Sequence, residues 1–100
     1  MNMQAMLRQA QNMQKEMMKA QEEINKTSFE GENGLVKVTL DGTKKVQKVD
    51  IKKGIDLSSS DDIEMLEDMM MVAFNDAINK IEKITEEKMG KFTKGIPGLF

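Results

Sequence analysis

The chain has 100 residues, a formal net charge of −2, 11 Met and 4 Phe, and no Trp, Tyr, Cys or His. One small domain of that size buries a modest core, and without Cys or His it has neither a disulfide nor the usual zinc ligands to reinforce it. The same absences remove thiol nucleophiles, the commonest general base and any Ser-His-Asp arrangement. No catalytic residue, metal or cofactor is therefore expected, and a partner subunit is the remaining route to a larger core.

Residues 2 to about 27 read as one long helix. Met3, Met6, Ala10, Met13, Met17, Ala20 and Ile24 are spaced 3-4-3-4-3-4, which is a heptad seam. The residues between them are mostly Gln, Lys and Glu, good helix formers, and neither Gly nor Pro interrupts. At ~1.5 Å per residue the helix is ~39 Å long. A compact domain of this length has a radius of gyration of only ~13 Å. The helix is therefore expected to overhang its own domain or to lie along another chain.

From about 28 to 53 the period changes. Leu35-Val36-Lys37-Val38-Thr39-Leu40 is rich in β-branched residues, Asp41-Gly42 supplies a turn, and Val46-Gln47-Lys48-Val49-Asp50-Ile51 resumes as a strand. An antiparallel hairpin follows, with a weaker third strand at Ser28–Glu32 before the Asn33-Gly34 turn. Such a sheet is marginal alone and has to pack on helices or on a second copy of itself.

Gly54–Ser60 reads as a loop, with Ser58-Ser59-Ser60 as linker. A second helix is expected from Asp61, with Asp61 as N-cap and Glu64 at N3, to about Lys88, with Gly90 as its stop. Ile63, Leu66, Met70, Ala73, Ala77, Ile81 and Ile84 mark its buried stripe. Met69-Met70-Met71-Val72-Ala73-Phe74 is apolar nearly all round, which implies burial on several faces. One helix and one hairpin cannot cover all of it, so Met69, Met70, Met71, Val72 and Phe74 are assigned to the centre of a homodimer. Residues 1–90 thus form one α+β domain, and 91–100, with two Gly, one Pro and two Phe, read as a mobile tail with exposed rings.

The charge is unevenly placed. Residues 1–27 hold four basic and three acidic groups, 28–53 six and four, 54–76 none and seven, and 77–100 five and three. The −2 total therefore hides a net +5 outside one acidic segment, and the local field matters more than the sum. Arg8, Lys15, Lys19 and Lys26 fall within roughly 40° of one another at ~100° per residue, opposite the seam. Lys80 and Lys83, then Lys88, Lys91 and Lys94, follow late in the second helix. Such stripes can track phosphates with a salt-dependent affinity. By charge alone an ordinary solvated face is the simpler reading. A single Arg leaves little bidentate readout of guanine.

Other motifs carry less. Asp61-Asp62-x-Glu64 and Glu67-Asp68 lack the alternating ligands and central Gly of a calcium loop. Gly31–Gly34 lacks the strand-to-helix context of a phosphate loop. The longest apolar run, Met69–Phe74, is far below the ~20 residues of a membrane span. The N-terminus has no apolar stretch of a secretory signal, so nothing directs export.

As a whole the pattern resembles the YbaB/EbfC family of bacterial nucleoid-associated proteins. The resemblance is carried by Gln9-Ala10-Gln11-Asn12-Met13-Gln14, Gly34-Leu35-Val36-Lys37-Val38-Thr39, Met65-Leu66-Glu67-Asp68, Ala73-Phe74-Asn75-Asp76-Ala77, Glu87-Lys88-Met89 and the Gly-Pro tail. It implies an α+β homodimer with long helices projecting like tweezers from a central sheet. It further implies duplex DNA as the partner, a cytoplasmic, nucleoid-associated location, a role in nucleoid organisation and gene expression, and no catalysis, membrane or small-molecule substrate. Carried onto this chain, the DNA-binding candidates are Arg8, Lys15 and Lys19 on the first helix and Lys83, Lys88 and Lys91 on the second. The alternatives are a coiled-coil adaptor or holdase chaperone gripping clients with its Met-rich helices, and, with less weight, a carboxylate-based metal enzyme.

Overall fold

The computed structural model describes residues 2–93. Five elements follow one another: α1 (Met3–Lys26), β1 (Ser28–Asn33), β2 (Val36–Asp41), β3 (Val46–Ile51) and α2 (Ser60–Thr93). The strands form one antiparallel sheet in the order β1-β2-β3, so the weaker third strand expected from sequence is present. The chain is an α+β protein.

Helix α1 starts where a cap is available. The Asn2 side chain accepts a hydrogen bond from the Ala5 amide at 2.8 Å, satisfying one of the free donors of the first turn. At the other end the Thr27 amide bonds back to the Ile24 carbonyl at 3.0 Å. Asn25 O then accepts from the Gly42 amide at 3.2 Å, tying the end of α1 to the β2–β3 connection. The approach is so close that a Cβ on Gly42 would stand 1.9 Å from the Ile24 carbonyl oxygen.

The sheet has one buried face. Phe29 pairs with Leu40 and Gly31 with Val38, and all four are buried. With Val36 they form the floor of the core, and Ala73, Ala77 and Ile81 of α2 form its roof. Small residues at the crossing let α2 lie almost on the backbone of β1. Around it, Asp76 accepts from the Glu32 amide at 3.1 Å, and the Lys80 ammonium donates to the Glu30 carbonyl at 2.9 Å. Both bonds satisfy outer-edge groups of β1 that have no neighbouring strand. The opposite face of the sheet is charged, with Lys37 and Glu30 paired at 3.1 Å.

Two expectations about α2 are corrected. Its N-cap is Ser59, whose hydroxyl accepts from the Asp62 amide at 3.1 Å, not Asp61; the serine run is a cap rather than a linker. Asp61 and Asp62 sit in the first turn, where negative charge suits the helix dipole. Gly90 does not end the helix, which continues to Thr93. Phe92 is 4% exposed, so it is an anchor and not an exposed tail ring. Burying an aromatic side chain is worth ~1.5–3 kcal/mol, against ~0.5–1 kcal/mol for a Gly inside a helix. The part of the expected tail beyond Thr93 lies outside the described residues.

The shape is long, 71 × 23 × 14 Å, with a radius of gyration of 20.0 Å. Helix α1 overhangs its domain as its length requires.

Candidate nucleic-acid interface

The seam of α1 is covered only at its base. Ile24 is buried, Ala20, Met17 and Met13 are half-buried, and everything from Asn2 to Asn12 is exposed. The gradient follows from where α2 stops. Lys91 and Phe92 share a shallow groove with Glu16, Lys19, Ala20 and Glu23, and beyond that level α1 runs alone.

On the face opposite the seam, Arg8, Lys15 and Lys19 are exposed. None of them pairs with a carboxylate among the described residues. Lys26, the fourth member of the stripe, is held by Glu22 at 2.9 Å one turn away, so the free stripe comprises three cations. Arg8 and Lys19 lie ~17 Å apart along the axis at ~1.5 Å per residue.

The candidates on α2 are arranged differently. Lys83, Lys88 and Lys91 are exposed and unpaired among the described residues. At ~100° per residue Lys83 points roughly 140° away from Lys88, so the three do not make one row. Lys91 reaches over the Phe92 ring, 4.9 Å from its centroid, and lines the same groove as Lys19. The fold thus brings Lys19 and Lys91 together, leaves Arg8 and Lys15 farther along the projecting helix, and separates Lys83. Lys80, beside Lys83 in sequence, is held by Asp76 at 3.3 Å and by the Glu30 carbonyl.

Phe92 is the residue that sequence reasoning missed. It follows Ile81 by eleven residues, about three turns, and so shares its face. That spacing was the available signal, and the Gly at position 90 masked it.

The apolar positions assigned to a dimer centre divide into two groups. Met69, Met70 and Phe74 pack against the protomer's own core. Met71 is 58% and Val72 47% exposed, on different flanks of α2. A further apolar stripe lies on β3. Val49 pairs with Val38, and Val46 with Leu40, which places both on the face that α2 covers, yet α2 packs on β1 and β2 only. Val46 and Val49 stay 49% and 41% exposed.

Two turn and sheet groups have shifted pKa values. The Asp41 carboxyl is lowered from 3.8, chiefly by the Thr43 hydroxyl, with the Lys45 and Thr43 amides adding to it. The Lys37 ammonium is raised from 10.5 by its hydrogen bond and charge pairing with Glu30. Both are structural. Among the described residues no three acidic side chains come together as metal ligands, and no helix is long and apolar enough to cross a membrane.

The fold and the site define an α+β protein that presents its unpaired cations along a projecting helix and its uncovered apolar surface beside a helix-backed sheet. The chain belongs to the YbaB/EbfC DNA-binding family, which it matches over residues 1–96. It is 48% identical over 99 residues to the nucleoid-associated protein LL0120 of Lactococcus lactis, covering 97% of this chain and 98% of that protein. It is 48% identical over 100 residues to a nucleoid-associated protein of Enterococcus faecalis, covering 98% and 94%. The nucleoid-associated protein NMA1657 of Neisseria meningitidis is 43% identical over 94 residues, 92% and 85% of the two chains. The crystal structure of the uncharacterized protein HP0035 from Helicobacter pylori has the same fold, with a TM-score of 0.74 over 93% of this chain and 98% of that one at 20% identity.

Proposed function

We propose that this chain works as a homodimer that binds duplex DNA in the bacterial nucleoid, through phosphate and shape contacts rather than base readout, and catalyses nothing. Arg8, Lys15 and Lys19 are the principal contacts, with Lys83, Lys88 and Lys91 adding to the field from α2. The observation that carries the reading is the free stripe on α1: three aligned, exposed, unpaired cations, Lys19 beside the end of α2 and Lys15 and Arg8 leading out along the projecting helix. Bound in this way along the chromosome, the protein serves nucleoid organisation and, through it, gene expression.

Dimerisation is supported by the apolar surface a single protomer leaves open. Val46 and Val49 on β3 and Met71 and Val72 on α2 would be covered by a second copy, with Met69, Met70 and Phe74 packed behind them. Exposed apolar side chains gathered beside a sheet in this way suit an interaction site.

A titration of labelled duplex DNA at several salt concentrations tests the proposal. Six phosphate contacts, three from each copy of α1, give a slope of log affinity against log salt of about −5. Lys15→Glu combined with Lys19→Glu removes four contacts per dimer and makes the slope shallower by roughly 3–4, with dimerisation unchanged. Absence of binding at low salt by an intact dimer refutes the proposal; loss of the dimer in the double variant places the stripe in the interface instead. The exposed Met3 and Met6 favour one other reading, a chaperone that grips apolar clients. It predicts suppression of client aggregation that the charge reversals leave untouched.

A further inference from the structure

We infer that the outer half of α1 enters the major groove of duplex DNA, with an uncharged row beside the basic stripe turned toward the base edges; the inference rests on the DNA-binding reading above. Gln4, Leu7, Gln11, Gln14 and Met18 repeat the 3-4 spacing of the seam and fall within ~80° of one another at ~100° per residue. All five are exposed, Leu7 by 57% and Met18 by 66%. None of their side chains forms a hydrogen bond or ion pair among the described residues, whereas Gln21 and Asn25, farther along the same row, bond each other at 2.8 Å. The row lies ~150° round the helix from Glu16, Lys19, Ala20 and Glu23, the residues beside the end of α2. Helix α2 therefore stands behind it.

Charge separates insertion in a groove from contact with one backbone. A helix lying across the outside of a duplex needs cations on one side only and can keep acids on the other. The inner half of α1 has that character, with Glu16 and Glu23 exposed. The outer half differs: from Asn2 to Lys15 no acidic residue occurs on any side, and Asn2 to Asn12 are all exposed. In a groove phosphates stand on both sides, and a carboxylate on either flank is repelled. Size agrees. A helix with its side chains is ~10–12 Å across, against a major groove ~12 Å and a minor groove ~6 Å wide. With the row inward, Arg8 and Lys15 reach one phosphate wall, Met3 and Ala10 turn toward the other, and α2 stays outside.

The row suits contact without a fixed sequence. Gln4, Gln11 and Gln14 are carboxamides, each offering a donor and an acceptor, so they meet base edges in any order. Leu7 and Met18 add apolar contact for thymine methyl groups.

Two duplexes of one sequence test this, one plain and one whose cytosines carry glucosylated hydroxymethyl groups, which fill the major groove and leave the phosphates unchanged. Affinity is expected to fall about tenfold or more on the modified duplex, while netropsin, which fills the minor groove, has little effect. Gln14→Glu and Gln9→Glu add the same charge in the same shape, each ~100–120° from the basic stripe but on opposite flanks. Gln14→Glu is expected to weaken binding about tenfold more than Gln9→Glu, with helix content and dimer unchanged in both. Equal affinity for the two duplexes, or equal loss in the two variants, overturns the inference and leaves DNA binding standing. Absence of binding to the plain duplex at low salt overturns both. Self-association without DNA that Gln14→Glu abolishes also overturns it, because the row is then a contact between copies of the chain.

Discussion

Gly31→Ala tests the joint on which the whole fold turns. Helix α2 crosses β1 at Gly31, where an added Cβ would stand 2.0 Å from the Ala73 carbonyl oxygen, 2.6 Å from the Ala77 amide nitrogen and 2.9 Å from the Ala77 Cβ. Two of the three obstacles are backbone, so no rotamer change relieves them. The helix has to lift by an ångström or more, which loosens the packing of Ala73, Ala77 and Ile81 on the sheet. It also strains the Asp76 and Lys80 bonds to the edge of β1. Overpacking a well-packed core costs ~1–3 kcal/mol and occasionally more; with the backbone in the way the upper figure applies, about 3 kcal/mol. A domain of this size loses about 4–8 °C of Tm per kcal/mol, so a fall of ~12–24 °C is expected in a melt followed by circular dichroism at 222 nm. Ala77→Gly should restore little of it, because the nearest obstacle is the Ala73 carbonyl. A change of under ~2 °C, or full rescue by Ala77→Gly, refutes the close crossing.

Other outcomes follow from the same geometry. Phe92→Ala should cost about 3 kcal/mol and speed hydrogen exchange in the last two turns of α2, while the sheet amides stay protected. Ser59→Ala removes the N-cap of α2 and should lower stability by ~1 kcal/mol, whereas Asp61→Ala should cost clearly less; equal effects would return the cap to Asp61. The lowered pKa of Asp41 gives stability that is complete above the unfolded value and lost as pH falls through the folded one. The Thr43 and Lys45 amides, which donate to Asp41 at 2.9 and 3.1 Å, should therefore be unchanged in protection from pH 8 to 5 and weaken only below about pH 4. Asp41→Asn should abolish that acid dependence.

The basic stripe illustrates how net charge can mislead. Seven acidic groups lie in residues 54–76, at and beyond the N-terminal half of α2. Arg8 and Lys15 lie toward the other end of a molecule 71 Å long, and Lys19 sits beside the C-terminal turns of α2. Screening acts over ~8 Å at physiological salt, so the two ends present separate fields to a partner. Charge alone left the stripe as a solvated face; family membership and the unpaired state of its cations favour the DNA reading.

The sequence by itself determined α1, the three strands and the α+β class. Heptad spacing, β-branched runs and the Asn33-Gly34 and Asp41-Gly42 turns are local chemistry, and local chemistry is legible in order along the chain. It also determined the alignment of Arg8, Lys15 and Lys19, because helix geometry alone sets that angle. Only the tertiary structure decided which apolar residues are covered. Ala73 and Ala77 are buried because Gly31 lets α2 touch β1. Val46 and Val49, three residues apart, share a face only because the pairing shifts register between Thr39 and Leu40, and they are uncovered because α2 stops short of β3. Phe92 is buried, and the helix runs through Gly90, because α1 lies beside that turn to receive the ring. Periodicity says which side chains share a face; burial depends on what the rest of the chain, or a second copy, brings to that face.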